Sequence, residues 1–331
     1  MGKNTKDKGV STLSRRRFLT TATGFFVGSY LTGCQLRHQP PLRVASGVWL
    51  GYEPMFLARK YGWIDDRSIR LIETRSTSEA LRLLYAGRVE GAALTLDEVL
   101  TAQAQGVPLE IALIFDFSRG ADVLLAHPDI PDLFSLADRR VGVETTAVGA
   151  VMLSAALERA HLTSKDIILV PLYYHEHREA YLKGRVDALV TFEPTASLLE
   201  AEGANRLFDS RQIPDRIMDV LAFRPEALPI LSGAARRLIA AHFRAVDRLR
   251  TAPRATVRDM QQRLELTETE ILKAYQGIHL PGLEENRQWL MGSPPPLERQ
   301  ADKLQALMLK HKLLSRPVAV TGLATASLLE T

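Results

Sequence analysis

From residue 42 onward the chain alternates short apolar runs with amphipathic stretches. Leu42-Arg43-Val44-Ala45 reads as a strand, and similar runs recur at 69–73, 91–95, 109–115, 123–126, 140–144, 167–172 and 188–192. Between them, 77–86 and 148–160 carry helical spacing. In the latter, Val148, Val151, Met152 and Ala155 fall on one face that can be buried. Strand and helix alternating at this density predict an α/β protein whose parallel sheets are covered by helices. Beyond Arg224-Pro225 the pattern turns purely helical, and Gly292-Ser293-Pro294-Pro295-Pro296 reads as a loop before a helix over 297–314.

A faint repeat runs through the alternation. Arg43-Val44 recurs as Arg140-Val141, the strand around Leu71-Ile72 as Ile168-Leu169, and Gly87-Arg88-Val89-Glu90 as Gly184-Arg185-Val186-Asp187, at an offset of 97 residues. Each copy then runs through a short apolar strand to a threonine, Thr95 or Thr191. Three coincidences at one offset predict two similarly wound lobes.

The N-terminus has a different character. Ser14-Arg15-Arg16-Arg17-Phe18-Leu19 has the form of a twin-arginine export signal, and Leu31-Thr32-Gly33-Cys34 that of a lipobox. The apolar stretch over 18–31 is too short for a bilayer that needs about 20 residues, so residues 1–33 are expected to be a cleaved signal peptide. Cys34 would then carry the lipid that ties the chain to a membrane, and 34–41 would be a linker. That processing changes the charge argument. The formal charge of +4 belongs to the signal, which holds six basic groups and one acid; the remainder has 36 basic and 37 acidic residues. Nothing there supports nucleic-acid binding. Cys34 is the single cysteine, which excludes disulfides and cysteine-based metal sites.

Several blocks together carry a family resemblance: Val48-Trp49-Leu50-Gly51-Tyr52-Glu53-Pro54, Leu94-Thr95-Leu96-Asp97-Glu98-Val99, Ser118-Arg119-Gly120-Ala121-Asp122 and Gly184-Arg185-Val186-Asp187-Ala188. In order and spacing the region from about 42 to about 250 resembles the solute-binding proteins of nitrate, sulfonate and taurine importers, relatives of the thiamine-pyrimidine-precursor binders. The resemblance implies a two-lobed periplasmic-binding-protein fold of type II, with parallel-type sheets, one antiparallel crossover strand per lobe and a ligand in the interlobe cleft. Lobe one would comprise 42–120 and 221–331, and lobe two 121–220, with crossovers near Arg119-Gly120 and over 219–223. The implied partners are an ABC permease and ATPase, with no cofactor, and the protein is expected to be a monomer.

In open α/β sheets ligands sit beyond the carboxyl ends of strands, where helix N-termini also point. Those ends nominate Trp49, Tyr52, Glu53, Ser76, Thr77, Thr95, Ser118, Glu144, Thr145, Thr146, Val148 and Glu193 as ligand-binding. Ser76 and Glu79 have capping-box spacing, and Trp49 and Tyr52 offer flat walls. The ends are unusually acidic, through Glu53, Asp97, Glu98, Asp122, Glu144 and Glu193. Of these, Asp97, Glu98 and Asp122 are expected to cap helices or face solvent. Acids beside a ligand disfavour a bare oxyanion and favour a molecule bearing a nitrogen, such as an amino-sulfonate or a nitrogen heterocycle.

Other chemistry is weak. His175 and His177 alternate as a zinc pair on a strand would, but lack an evident third ligand, so that segment reads as an exposed loop. No nucleophile elbow, zinc-protease helix or phosphate loop occurs. Three functions stay open: a lipid-anchored binding protein for an importer, an enzyme on the same fold, or a receptor lobe for a membrane sensor kinase. The first is expected, at an extracytoplasmic membrane face and without turnover.

Overall fold

The computed structural model describes residues 40–144 and 148–329. The expected export signal over 1–33, the expected lipid attachment at Cys34 and the candidates Thr145 and Thr146 lie outside the described residues. The elements are β1 (Leu42–Ser46), α1 (Glu53–Lys60), β2 (Ile69–Glu73), α2 (Thr77–Tyr85), β3 (Gly91–Thr95), α3 (Leu96–Ala104), β4 (Glu110–Ser118), β5 (Asp122–Ala126), β6 (Arg140–Val143), α4 (Val148–Arg159), β7 (Ile168–Pro171), α5 (His177–Leu182), β8 (Ala188–Phe192), α6 (Thr195–Ala201), β9 (Asn205–Asp209) and β10 (Met218–Phe223). Then follow α7 (Leu228–Thr251), α8 (Pro253–Arg258), α9 (Gln261–Leu264), α10 (Glu268–Tyr275), β11 (Ile278–His279), α11 (Leu283–Leu290) and α12 (Pro296–Lys310).

Two sheets result, ordered β11-β4-β10-β3-β1-β2 and β7-β6-β8-β5-β9. In the first, β1 pairs parallel with β2 and β3, and β10 runs antiparallel between β3 and β4. The second is built alike, with β5 as the reversed strand between β8 and β9. Each sheet thus carries its reversed crossover strand. Central strands such as β3 are apolar and buried along almost their whole length, as helices on both faces require.

The 97-residue repeat has a physical counterpart. Arg43 donates from its backbone and guanidinium to Glu90, and Arg140 does the same to Asp187. In each lobe this pair clamps the first parallel strand to the turn that enters the next one. Gly87 and Gly184 occupy that turn at φ 63° and 62°, a left-handed conformation that favours glycine.

Three features depart from the sequence reading. Strands β9 and β10 were not among the apolar runs. The segment 219–223 is the buried middle strand of the first sheet, so the return crossover falls earlier, between Asp209 and Met218. The C-terminal part is not purely helical, because β11 pairs with the end of β4. Beside it, buried Asn286 substitutes for a neighbouring strand: its Oδ1 accepts from Ile114 N at 2.7 Å and its Nδ2 donates to Ile114 O at 3.1 Å.

The two crossovers are joined. Ser118 Oγ and Ser210 Oγ lie 2.7 Å apart, Ser210 Oγ accepts the Gly120 N–H at 2.6 Å, and Ser118 Oγ accepts the Asp122 N–H at 3.2 Å.

Candidate functional site

The turn over 47–52 follows β1 and precedes α1, at the carboxyl edge of the first sheet. Its shape is fixed by two carboxylates beneath it. Trp49 Nε1 donates to Asp116 Oδ2 at 3.0 Å, and the buried Tyr52 hydroxyl donates to Asp219. Asp116 and Asp219 face each other directly across β4 and β10, and Asp219 also faces Thr95 across β3. Only a glycine fits above them: a Cβ on Gly51 would overlap the Asp116 carboxylate, 2.6 Å from its Cγ, and stand 3.0 Å from Trp49 Nε1.

A cleft opens over this turn with about 1110 Å³ of atom-free space including its mouth, ample for a small organic molecule. The first sheet contributes Trp49, Tyr52, Thr74, Ser76, Thr77, Thr95, Glu98 and Asp219; the second contributes Asp122, Glu144, Val148, Tyr174, His177, Thr191 and Phe192. Tyr174 and Phe192 stack in parallel at 4.3 Å, and Trp49 meets Phe192 edge-on at 5.6 Å. That second contact reaches from one sheet's turn to the other sheet.

The electrostatics are one-sided. Burial pushes Glu98 up to about 8, with the neighbouring Asp97 adding to the shift. Burial likewise raises Asp122 to about 7 and Asp116 to about 7. Asp219 rises well above the carboxylate range through burial and then the Asp116 charge. Cross-strand neighbours stand about 5 Å apart, where two like charges repel by about 3 kcal/mol at an effective dielectric near 20. Asp116 and Asp219 therefore do not both ionise readily. Among the described residues no Lys or Arg pairs with Glu98, Asp116, Asp122 or Asp219, and Arg75, exposed, is the one such cation on the lining. Burial lowers His177 to about 4 and keeps it neutral; its Nδ1 lies 3.1 Å from Thr191 Oγ1. Four of the lining residues have a polar atom that is buried without a partner: Thr74 Oγ1, Thr95 Oγ1, Asp122 Oδ2 and His177 Nε2.

Of the nominated residues, Trp49, Tyr52, Ser76, Thr77, Thr95, Glu144 and Val148 line the cleft. Three do not. Glu53 is paired with Arg263 on the far side of α1, in a cluster with Phe56, Arg59 and Glu73. Ser118 is consumed by the crossover junction. Glu193 turns into α6, where Ser197 donates to it from N at 3.1 Å and Oγ at 2.9 Å. Ser76 Oγ accepts from Glu79 N at 3.3 Å, while Glu79 reaches Arg75 N rather than Ser76 N.

Two expectations hold only in part. Asp97, Glu98 and Asp122 are buried rather than solvent-facing, and the latter two line the cleft, although Glu98 does cap α3 by accepting the Thr95 N–H at 2.9 Å. In the segment 173–177, Tyr173 and His175 are exposed, whereas Tyr174 and the buried His177 form part of the cleft wall. Phe192, Tyr174, His177 and Asp219 were not nominated. The apolar strand ending at Phe192 was legible as a sheet end, but nothing local marks the side of a strand from which its terminal ring projects. No group of three potential metal ligands occurs among the described residues.

Two mixed sheets joined by two crossovers, with an open cleft at their facing edges, define the periplasmic-binding-protein fold. Similar solved structures include the periplasmic aliphatic sulphonate binding protein SsuA from Escherichia coli (TM-score 0.72, 17% identity, 86% of this chain and 92% of that one). The alkanesulfonate-binding protein SsuA from Xanthomonas axonopodis pv. citri bound to MOPS matches comparably (TM-score 0.71, 16%, 85% and 96%). The desulfurization enzyme DSZB shares the fold too (TM-score 0.63, 18%, 87% and 97%). No curated protein matches the sequence. The chain belongs to the NMT1-like family, whose model matches residues 37–265.

Proposed function

We propose that this protein is an extracytoplasmic solute-binding lipoprotein that captures a small nitrogen-bearing organic solute and delivers it to an ABC permease and its ATPase. The carrying observation is an aromatic-walled cleft lined from both sheets by residues that include four with a buried, unpartnered polar atom, since such atoms are expensive to leave unpaired and are normally satisfied by a ligand or water. Family membership and the fold of the sulfonate-binding relatives support the transport role. The N-terminal twin-arginine pattern and lipobox support export and anchoring through Cys34. The acid-rich floor favours a nitrogen-bearing solute, an amino-sulfonate or a nitrogen heterocycle, over a plain sulfonate or nitrate. Glu144 and Val148, with Trp49, Tyr52, Ser76, Thr77 and Thr95, are its contact residues in this reading.

A thermal-shift screen of purified protein against pyrimidines, amines, amino-sulfonates, sulfonates, nitrate and bicarbonate tests the proposal, because a ligand of the folded state raises the melting temperature by mass action. Stabilisation by a nitrogen-bearing compound without its chemical conversion is expected. Turnover of the stabilising compound would replace a binding protein by an enzyme.

A further inference from the structure

Resting on that solute-binding reading, we propose that the cleft takes its solute as an organic cation, lodged against Glu98, Asp122 and Asp219, and that the cation enters as the protein gives up a proton. Three independent features converge on this. The first is connectivity: Asp219 lies in a row with Thr95 and Asp116 across three strands, Glu98 sits one turn into α3 and receives the Thr95 N–H at 2.9 Å, and Asp122 opens β5 opposite Phe192. Carboxyl groups from both sheets thus meet on one cleft floor. The second is an unpaired acceptor: Asp122 is 4% exposed, and its Oδ2 has no donor. The third is the wall of Trp49, Tyr52, Tyr174 and Phe192, whose aromatic faces attract cations and repel anions.

Among the described residues the surroundings supply no alternative counter-ion on the floor. Facing the floor are Asp116 from β4, Asp97 beside Glu98, and the Tyr52 hydroxyl, already committed to Asp219. From the second sheet come Glu144, Glu193 behind Asp122, and the neutral His177; His175 acts on Glu144. Arg75 stands at the rim. With so many acids and no buried cation, the empty floor at neutral pH is held together by protons. A cation arriving there does the same electrostatic work, so a proton becomes free to leave. An anion on that floor, by contrast, would face like charge or neutral acids, the exposed Arg75 standing away from it at the rim.

The probe is tetramethylammonium chloride, a permanent cation that cannot itself release a proton, with sodium chloride at equal ionic strength and neopentyl alcohol as controls. At pH 8 tetramethylammonium is expected to raise the melting temperature of the full protein by several degrees, and at pH 6 by much less. A pH-stat at pH 7.5 should record release of up to one proton per protein. Glu98→Gln and Asp122→Asn, which imitate the protonated floor, should fold and melt at least as high as the parent at pH 8 while losing most of the cation's effect. An equal shift from sodium chloride or the neutral isostere, no shift at all, an undiminished shift in both variants, or binding without proton release overturns the inference. If pyrimidines or sulfonates stabilise the protein where tetramethylammonium does not, the charge assignment falls and the solute-binding reading stands; if no compound of any class does, both fall.

Discussion

Gly51→Ala is the sharpest test of the turn that forms the cleft floor. Gly51 does not use a left-handed conformation, so the substitution acts through space alone. The new methyl would overlap the Asp116 carboxylate and press on Trp49 Nε1 at 3.0 Å. Asp116 lies fully buried within β4 and can yield only by swinging aside and losing the Trp49 hydrogen bond. Overpacking of this kind costs about 1–3 kcal/mol, and a lost hydrogen bond to an ionisable group about 1.5–3 kcal/mol. We expect a loss of about 3–5 kcal/mol, read as a fall in the urea midpoint of about 1 M or more at the m-values usual for large domains. The partner measurement is the same substitution in an Asp116→Ala background, where the added methyl meets vacated space and should cost less than about 1 kcal/mol. An equal loss in both backgrounds would show that Gly51 is required for something other than room for Asp116.

Other outcomes follow from neighbouring features. Carboxyls with raised pKa bind protons more tightly folded than unfolded, so their contribution is complete below the ordinary carboxylate range and is lost as pH climbs through the folded values. His177, lowered to about 4, opposes this only up to about pH 6.5. The ligand-free protein should therefore lose melting temperature from about pH 4.5 upward, the carboxyls together outweighing the one histidine, and the decline should slow above about pH 8, where Asp116 and Asp122 near 7 and Glu98 near 8 have ionised in the folded protein as well; Asp219→Asn should flatten that decline, and a melting curve that rises between about pH 5 and 8 would contradict the assignment. Asn286→Ala strips the partners from Ile114 N and O and should lower stability by about 2–4 kcal/mol in urea unfolding, whereas a change under about 1 kcal/mol would show that water replaces the amide. Metabolic labelling with a fatty acid should mark the wild-type protein and not Cys34→Ala; equal labelling would remove the anchor from the proposal.

Much of the architecture was legible because it rests on local pattern. Runs such as 91–95 and 188–192 coincide with strands, and the Arg43 and Glu90 pair with its copy at Arg140 and Asp187 makes the repeat a matter of hydrogen bonding. What stayed hidden depends on partners distant in sequence. The strand over 218–223 is defined by lying between β3 and β4, and β11 by the edge that β4 leaves open. Glu53 and Glu98 look alike as acids near a helix start, yet one faces Arg263 and the other faces the cleft. Spacing reports which residues share an element; it does not report which residue 210 positions away supplies a counter-charge.

The serine pair at the crossovers has a kinetic consequence. Because Ser118 and Ser210 bind each other and the backbone of Gly120 and Asp122, the outgoing and returning chains cannot be displaced independently. A hinge rotation of one sheet against the other would run about a line through that junction. Asp116, Asp122 and Asp219 sit within a few residues of the crossovers and would barely travel in such a rotation, while the rim around Arg75, Ser76 and Thr77 would sweep a longer arc. In such a closure the floor would reach its final arrangement before the rim. Discrimination by charge then belongs to the first encounter and appears in the association rate, and discrimination by size belongs to closure and appears in how long the complex lasts.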